Sequence, residues 1–230
     1  HVSGLPGLLL SMGNEGKTSP LYIFGPKGLD AIIKGLLVIV PELPFKIITK
    51  TLADFDTFTQ YNYTVTAFEL RHSCPCLGYD ISRGGKFDKE KAIANEVPLK
   101  YWSILQRGET IDGYTPDMVL GKTRRGLHVT YSTDTRPCEI ISTMAYDADL
   151  LVCEGMFELE KSARAKESAH MTMASAAKLA KDAECAELWL THYSPSLPNP
   201  EEFENEPKAI FPNTVISSDG ITKTLRFADE

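Results

Sequence analysis

Three side chains able to bind a metal or move a proton sit where predicted β-strands end. His72 follows Phe68-Glu-Leu-Arg, Asp134 follows Val129-Thr-Tyr-Ser-Thr, and His192 follows Leu188-Trp-Leu-Thr. The chain has only 5 histidines in 230 residues, and four of them fall at a strand end or a helix start. The turn Thr135-Arg136-Pro137 keeps the Asp134 carboxylate at such a rim, which in layered α/β folds is where sites gather. Singly, a strand-end histidine is more often structural than a ligand; three such residues from separate segments favour a shared site. His128, in mid-strand, reads as structural. Two further patterns carry no chemistry. Gly16-Lys17-Thr18 resembles the end of a phosphate loop, but Ser11 stands where the opening glycine belongs and no strand precedes it. Cys74-Pro75-Cys76 has no second pair at zinc-finger spacing, and Cys138, Cys153 and Cys185 are isolated in apolar surroundings, so buried thiols are expected.

Positioning these groups calls for alternating strands and helices, and the pattern supplies them. Gly4 to Met12 reads as a short helix ended by Gly13-Asn14 and Gly16, and Leu21–Phe24 as a buried strand. Gly25-Pro-Lys-Gly28 then turns into a helix over Leu29–Val40, with apolar residues at 29, 32, 33, 36 and 37. Phe45–Thr49, Tyr61–Phe68, Leu127–Ser132, Ala148–Cys153 and Leu188–His192 read as strands, the last closing the set. Ala163–Ala186, rich in Ala and Lys without Gly or Pro, predicts one long helix. Residues 82–100 change character: Arg83-Gly-Gly-Lys and Asp88-Lys-Glu-Lys form a charged stretch that should protrude as an arm or an exposed helix. The expectation is an α/β layered architecture in a single domain over 1–230, with a possible arm at about 82–108.

Composition narrows the function. With 43% apolar and 24% charged residues the chain is of ordinary globular type, and no apolar run approaches the roughly 18 residues of a membrane helix. A net charge of −7 disfavours broad coating of nucleic acid, so any RNA contact must rest on a local basic patch. An odd number of cysteines without a secretory signal suggests reduced thiols and a cytoplasmic setting.

Six segments, in order, resemble the ribonuclease Z family, tRNA 3′-processing endonucleases of the metallo-β-lactamase superfamily. They are His1-Val-Ser-Gly-Leu-Pro-Gly, Phe68-Glu-Leu-Arg-His72 with Gly78-Tyr79, Thr133-Asp134-Thr-Arg-Pro, Leu150-Leu-Val-Cys-Glu154, Ala169-His170-Met-Thr172 and Leu190-Thr-His192-Tyr-Ser194. The resemblance implies a metallo-β-lactamase-type αββα sandwich and a pair of zinc ions, with manganese as the other metal. Asp134 would bridge the ions, His72 would complete one site, and His1 and His192 would help to build the other. His1 matches the last histidine of a His-x-His-x-Asp-His motif, so the resemblance implies an N-terminally incomplete fold and a further upstream segment in the natural protein. Glu154 and His170 resemble the family's catalytic pair, a carboxylate orienting a histidine that meets the scissile phosphate. Thr172, with His170 near a helix start, is expected to help bind that phosphate.

Imidazoles and carboxylates suit Zn²⁺, and a metal-activated water is then the expected nucleophile on a phosphodiester. The implied partner is precursor tRNA, and family members are commonly homodimers. Two departures bear on the substrate. Ser194-Pro-Ser-Leu replaces the family's Ser-x-Arg-Tyr, removing a phosphate-holding arginine, and the arm region Glu96-Val-Pro-Leu-Lys-Tyr-Trp lacks the family's Gly-Pro motif. Lys86, Lys89, Lys91, Lys100 and Arg107 still supply positive charge there, mixed with Asp88, Glu90 and Glu96. A hydrolase of the same superfamily acting on a small phosphodiester, and a noncatalytic RNA-binding scaffold, are the competing expectations.

Overall fold

The computed structural model describes residues 2–40, 42–60, 63–83, 87–106, 108–120 and 126–227. The chain forms two compact units, His1–Asp54 and Phe55–Glu230. In the first, helix α1 (Leu5–Asn14) precedes strand β1 (Leu21–Gly25), helix α2 (Leu29–Leu37) and strand β2 (Ile47–Thr51). β1 and β2 pair in parallel from Leu21↔Ile47 to Gly25↔Thr51. The predicted turn into α2 is made by Gly28, whose φ of 98° lies in the left-handed region that glycine adopts freely.

The second unit is built on a seven-stranded sheet in the order β3 (Thr57–Gln60), β4 (Tyr63–Glu69), β5 (Leu77–Arg83), β6 (Leu127–Ser132), β7 (Leu150–Glu154), β8 (Leu188–Thr191), β9 (Thr214–Ile216). The first three pairings are antiparallel and the last three parallel. Consequently β4, β6, β7 and β8 all run the same way, and their carboxyl ends share one edge. Helices α5 (Glu139–Met144), α7 (Met173–Asp182) and α8 (Asn205–Ile210) accompany the parallel half. The main core joins Phe68, Ile141, Leu151, Cys153, Leu188 and Leu190 to an alanine face of α7, with Ala176, Ala177 and Ala180 all fully buried. Small side chains there let the helix lie close on the sheet. Phe68 lies across Gly78 on the paired strand, where a Cβ would come within 2.3 Å of the ring; only glycine fits.

Three strands escaped the sequence reading: Thr57–Gln60, Leu77–Arg83 and Thr214–Ile216. β5 alternates Gly78, Asp80 and Ser82 with apolar residues, and such polar positions lower strand propensity until tertiary partners are in place. Leu188–Thr191 is therefore not the last strand. The predicted helix Ala163–Ala186 is two helices, α6 (Ser162–Glu167) and α7. Ser168 Oγ donates to the Arg164 carbonyl, Ala169 adopts a φ of 62°, and the His170 N–H closes on the Ala165 carbonyl. The Thr172 hydroxyl then accepts from the Ser175 N–H and starts a new helix.

Between β5 and β6 lies an insertion holding helices α3 (Lys89–Ala94) and α4 (Trp102–Gln106). It has its own apolar cluster of Ala92, Val97, Leu105 and Val119, with Phe87, Trp102 and Tyr114 packed against it. This cluster extends to Leu120, beyond the stretch marked by charge alone. Asp88 caps α3 by accepting from the Lys91 N–H, while the Asp88 N–H donates to the Val119 carbonyl at 2.7 Å. Lys91 Nζ turns inward onto the Leu120 carbonyl at 2.9 Å, so this cation is spent internally. Lys86 and Arg107 lie outside the described residues. Among the described residues no helix is long and apolar enough to cross a membrane.

Candidate functional site

The shared strand direction gathers the candidate residues. His72 lies in the loop after β4, Asp134 just beyond β6, Glu154 at the end of β7 and His192 just beyond β8. His170 comes from the break between α6 and α7. The imidazoles of His72 and His170 have ring centroids 4.9 Å apart, and those of His170 and His192 are 5.3 Å apart. His1 lies outside the described residues.

The two oxygens of Asp134 are divided between two imidazoles: Oδ2 faces His72 Nε2 at 3.9 Å and Oδ1 faces His192 Nε2 at 3.5 Å. Thr133 Oγ1 also donates to Oδ1, at 3.0 Å. Both imidazole distances are long for a hydrogen bond. They suit two ligands of a shared tetrahedral ion, which at about 2.05 Å each stand roughly 3.3 Å apart. The donor chemistry fits as well. His72 Nδ1–H donates to the Ala169 carbonyl at 3.0 Å, which leaves the Nε2 lone pair facing Asp134. Burial holds the His192 and His170 imidazoles below the usual histidine range, on the neutral side that binds a cation. Ligand atoms of His72, Asp134 and His170 lie within 4.8 Å of one another, as do those of Glu154, His170 and His192. These residues therefore fit a metal.

Glu154 is fully buried and its two oxygens meet three donors. Oε1 accepts from the Thr135 N–H at 2.6 Å and from His170 Nδ1–H at 3.0 Å; Oε2 accepts from the Met171 N–H at 3.1 Å. Burial pushes its carboxyl up to about 8, against the pull of the Thr135 and Met171 amides. Two oxygens that both accept suit the carboxylate form, and a cation nearby favours it further. Through Nδ1 the carboxylate fixes the His170 ring, leaving its Nε2 available for a ligand.

Thr172 carries a structural duty at the start of α7. It is 2% exposed, and its hydroxyl is engaged with the Ser175 N–H and Ser175 Oγ on the helix side. The hydroxyl thus caps α7. His128, read as structural, bonds Asp80, a partner not visible before the strands were paired. All five cysteines are free, with Cys138, Cys153 and Cys185 buried as expected but Cys74 exposed. Sequence reasoning missed Ala169, whose carbonyl orients His72 and whose alanine identity gives no signal.

No family model matches the chain. Relatives are closer in sequence: a protein named ribonuclease Z from Lachnoclostridium phytofermentans is 48% identical over 235 residues, covering 99% of this chain and 77% of that protein. One of the same name from Lachnospira eligens is 49% identical over 238 residues, covering all of this chain and 78% of the relative. Among solved structures, the short form of human tRNase Z superposes with a TM-score of 0.59 at 22% identity, covering 86% of this chain and 70% of that one. A metallo-β-lactamase fold protein from Bacillus subtilis gives 0.60 at 20% identity, covering 93% and 68%. At such identities the structures speak to the fold, which is of metallo-β-lactamase type.

Proposed function

Because this chain belongs to the ribonuclease Z family, we propose that it hydrolyses the phosphodiester at the 3′ side of precursor tRNA using two zinc ions held by the rim residues. The protein is a metal-dependent hydrolase, an endoribonuclease of tRNA 3′ processing. The observation that carries the finer reading is the Asp134 carboxylate, split between His72 and His192 with the Glu154–His170 couple beside it.

His72, Asp134 and His192 would hold the metal, with Asp134 offering one oxygen to each side. When bound, the cations supply Lewis acidity and an activated water for attack at phosphorus. His170, oriented by Glu154, presents Nε2 to the departing 3′ oxygen; it takes up at Nε2 the proton that the attacking water releases and passes it to that oxygen. The buried carboxylate stabilises the imidazolium that this role requires.

The insertion serves as an arm for the RNA. It leaves the sheet at the end of β5 and returns at the start of β6, the edge opposite the site. Five residue steps along β6 at ~3.4 Å put its root about 17 Å from the rim. Lys89 and Lys100 are its described cations without an inward bond of the Lys91 kind, the Lys100 ammonium lying 4.5 Å from the Tyr101 ring centroid. The homodimer and the cytoplasmic setting belong to the same reading.

Incubating the zinc-loaded protein with precursor tRNA and, separately, with bis(p-nitrophenyl) phosphate tests this. Endonucleolytic cleavage at the 3′ side of the tRNA with two zinc ions per chain supports the proposal. Cleavage of the small ester alone would assign the site to another substrate, and a metal-free protein would leave the scaffold reading.

A further inference from the structure

Thr135 offers the rim no ligand atom, yet it is fully buried and bonded to the segments that carry the site. Its backbone N–H donates to Glu154 Oε1 at 2.6 Å. Its hydroxyl accepts from the Arg71 N–H at 2.9 Å and donates to the Arg136 carbonyl at 2.8 Å. With that proton committed, the Cys138 thiol, 3.8 Å away, is the donor to the same oxygen. A hydroxyl has one proton to give and two lone pairs to receive with, so the capacity of this one is fully used.

The bond to Arg71 gains its meaning from where that residue stands. The β4–β5 ladder ends at the Glu69↔Leu77 pair, and residues 70–76 form the loop between the strands, closed by the Leu70 N–H on the Cys76 carbonyl at 3.0 Å. His72 rides on this loop. Arg71, just before it, is stitched to the turn after β6 by the Thr135 hydroxyl on one side and by the Arg136 N–H, which donates to the Arg71 carbonyl at 2.9 Å, on the other. That turn carries Asp134. Each member of the stitch is therefore a chain neighbour of a metal-binding candidate: Arg71 precedes His72, and Thr135 follows Asp134. The stitch sets the loop against the turn, and with it the 3.9 Å at which His72 Nε2 faces Asp134 Oδ2. A threonine is suited to this, because its β-branched side chain is stiff at χ1 and keeps the hydroxyl aimed. His192 is held by a separate pair of backbone bonds, from the Gly155 N–H to the Thr191 carbonyl and from the Ser194 N–H to the Met156 carbonyl.

We infer that Thr135 is a positioning residue for the metal centre, its hydroxyl registering the His72 loop against Asp134 and so governing the ion on the His72 side but not the one on the His192 side. The inference rests on the reading of His72, Asp134 and His192 as ligands of two zinc ions. Taking the hydroxyl away while keeping the side chain's shape leaves the Arg71 N–H without its acceptor and lets the loop shift under His72, whereas the Thr135 N–H still reaches Glu154.

The test measures zinc affinity in the full-length protein by competition with a chromophoric chelator, for wild type, Thr135→Val, Thr135→Ser, His72→Ala and the Thr135→Val/His72→Ala double variant, with thermal melts of the metal-free proteins alongside. Wild type should hold two zinc ions per chain. Thr135→Val should weaken one of them about 10- to 100-fold, the usual effect of removing a group that orients a ligand, and leave the other unchanged. Thr135→Ser, which keeps the hydroxyl, should recover most of that affinity. The double variant should bind zinc no more weakly than His72→Ala alone, since both changes act on the same ion. If wild type binds no zinc, or His72→Ala keeps both ions at wild-type affinity, the ligand reading fails and the inference with it. If His72→Ala loses an ion while Thr135→Val holds both tightly, the ligand reading stands and the role of Thr135 is refuted. Equal weakening of both ions in Thr135→Val, or a loss that Thr135→Ser does not recover, would make Thr135 a packing residue only. Should Thr135→Val fail to fold, Thr135→Ala decides the question by the same titration.

Discussion

Replacing Glu154 by glutamine keeps the volume of a fully buried acid and removes one acceptor oxygen. Three donors now share its two oxygens: the Thr135 N–H, the Met171 N–H and His170 Nδ1–H. An amide has one carbonyl oxygen, so its NH2 must face at least one of them. With the carbonyl in the Oε1 place, the NH2 meets the Met171 N–H. Flipped, it meets the Thr135 N–H and His170, whose proton then moves to Nε2 so that Nδ1 can accept. Either arrangement orphans a buried donor at a cost of about 1–3 kcal/mol, a fall in Tm of roughly 2–12 °C for a chain of this size. Either also removes the anion that stabilises a His170 imidazolium. Losing an oriented general acid costs about 10²–10⁴ in rate, or about 2.7–5.4 kcal/mol at 1.36 per decade. Single-turnover cleavage of precursor tRNA, run beside zinc content by mass spectrometry and a thermal melt, reads all three effects. The expected variant is folded, zinc-loaded and slow. A Glu154→Gln protein that cleaves at the wild-type rate would take the Glu154–His170 couple out of the chemistry, however well it is placed.

Asp134→Ala should abolish zinc binding and turnover together, because both flanking imidazoles face its carboxylate. His170→Ala should cut turnover by about 10²–10⁴ and spare zinc content; loss of the metal instead would make His170 a ligand. Gly78→Ala drives a methyl into the Phe68 ring, whose Cζ would lie 2.3 Å away, and should lower unfolding free energy in urea by about 1–3 kcal/mol; an unchanged midpoint would mean that the ring moves aside at no cost. The hydrogen bond to Asp80 raises His128 above its usual range, supported by the charges of Asp80 and Asp149 and by the Met144 carbonyl, against the opposing effect of burial. A raised pKa means that the Asp80–His128 pair contributes fully below the unfolded-state value near 6.5. Its contribution fades as pH climbs through the higher folded-state value. The stability gap between wild type and His128→Gln should therefore be widest at acid pH and shrink on the alkaline side; a gap that widens with pH would reverse the assignment of charge.

What could be read in the sequence, and what could not, follows from the range of each interaction. β1, α2, β6, β7 and β8 were legible because their patterns are local: short β-branched or apolar runs and helical spacing after a glycine turn. β5 was not, since Gly78, Asp80 and Ser82 make sense only once Phe68 covers the glycine and His128 meets the aspartate across the sheet. The unbroken helix predicted over Ala163–Ala186 failed for a related reason. Ala and Lys favour helix throughout, yet the chain pays for a left-handed Ala169 because the His170 it introduces is wanted at the rim. Strand-end position and residue type pointed to His72, Asp134 and His192, and motif order to Glu154 and His170, whose side chains the fold brings together. A threonine before a helix can serve as cap or as phosphate ligand, and the structure shows the capping bond from the Ser175 N–H.

Two non-glycine residues at the rim sit in the left-handed region, Ala169 at φ 62° and His192 at φ 58°. Such positions cost on the order of 1–3 kcal/mol each and persist only where surrounding structure enforces them. Enforcement is visible at both. The Gly155 N–H donates to the Thr191 carbonyl and the Ser194 N–H to the Met156 carbonyl, clamping His192 between two backbone bonds. Ala169 is held by the end of α6 on one side and by the capped start of α7 on the other, and α7 is in turn fixed by its buried alanine face. Strain in the backbone is thus converted into direction: Ala169 aims a carbonyl at His72, and His192 aims an imidazole at Asp134. The same sheet that sends four strand ends to this rim sends β5 to the far edge, where the insertion begins.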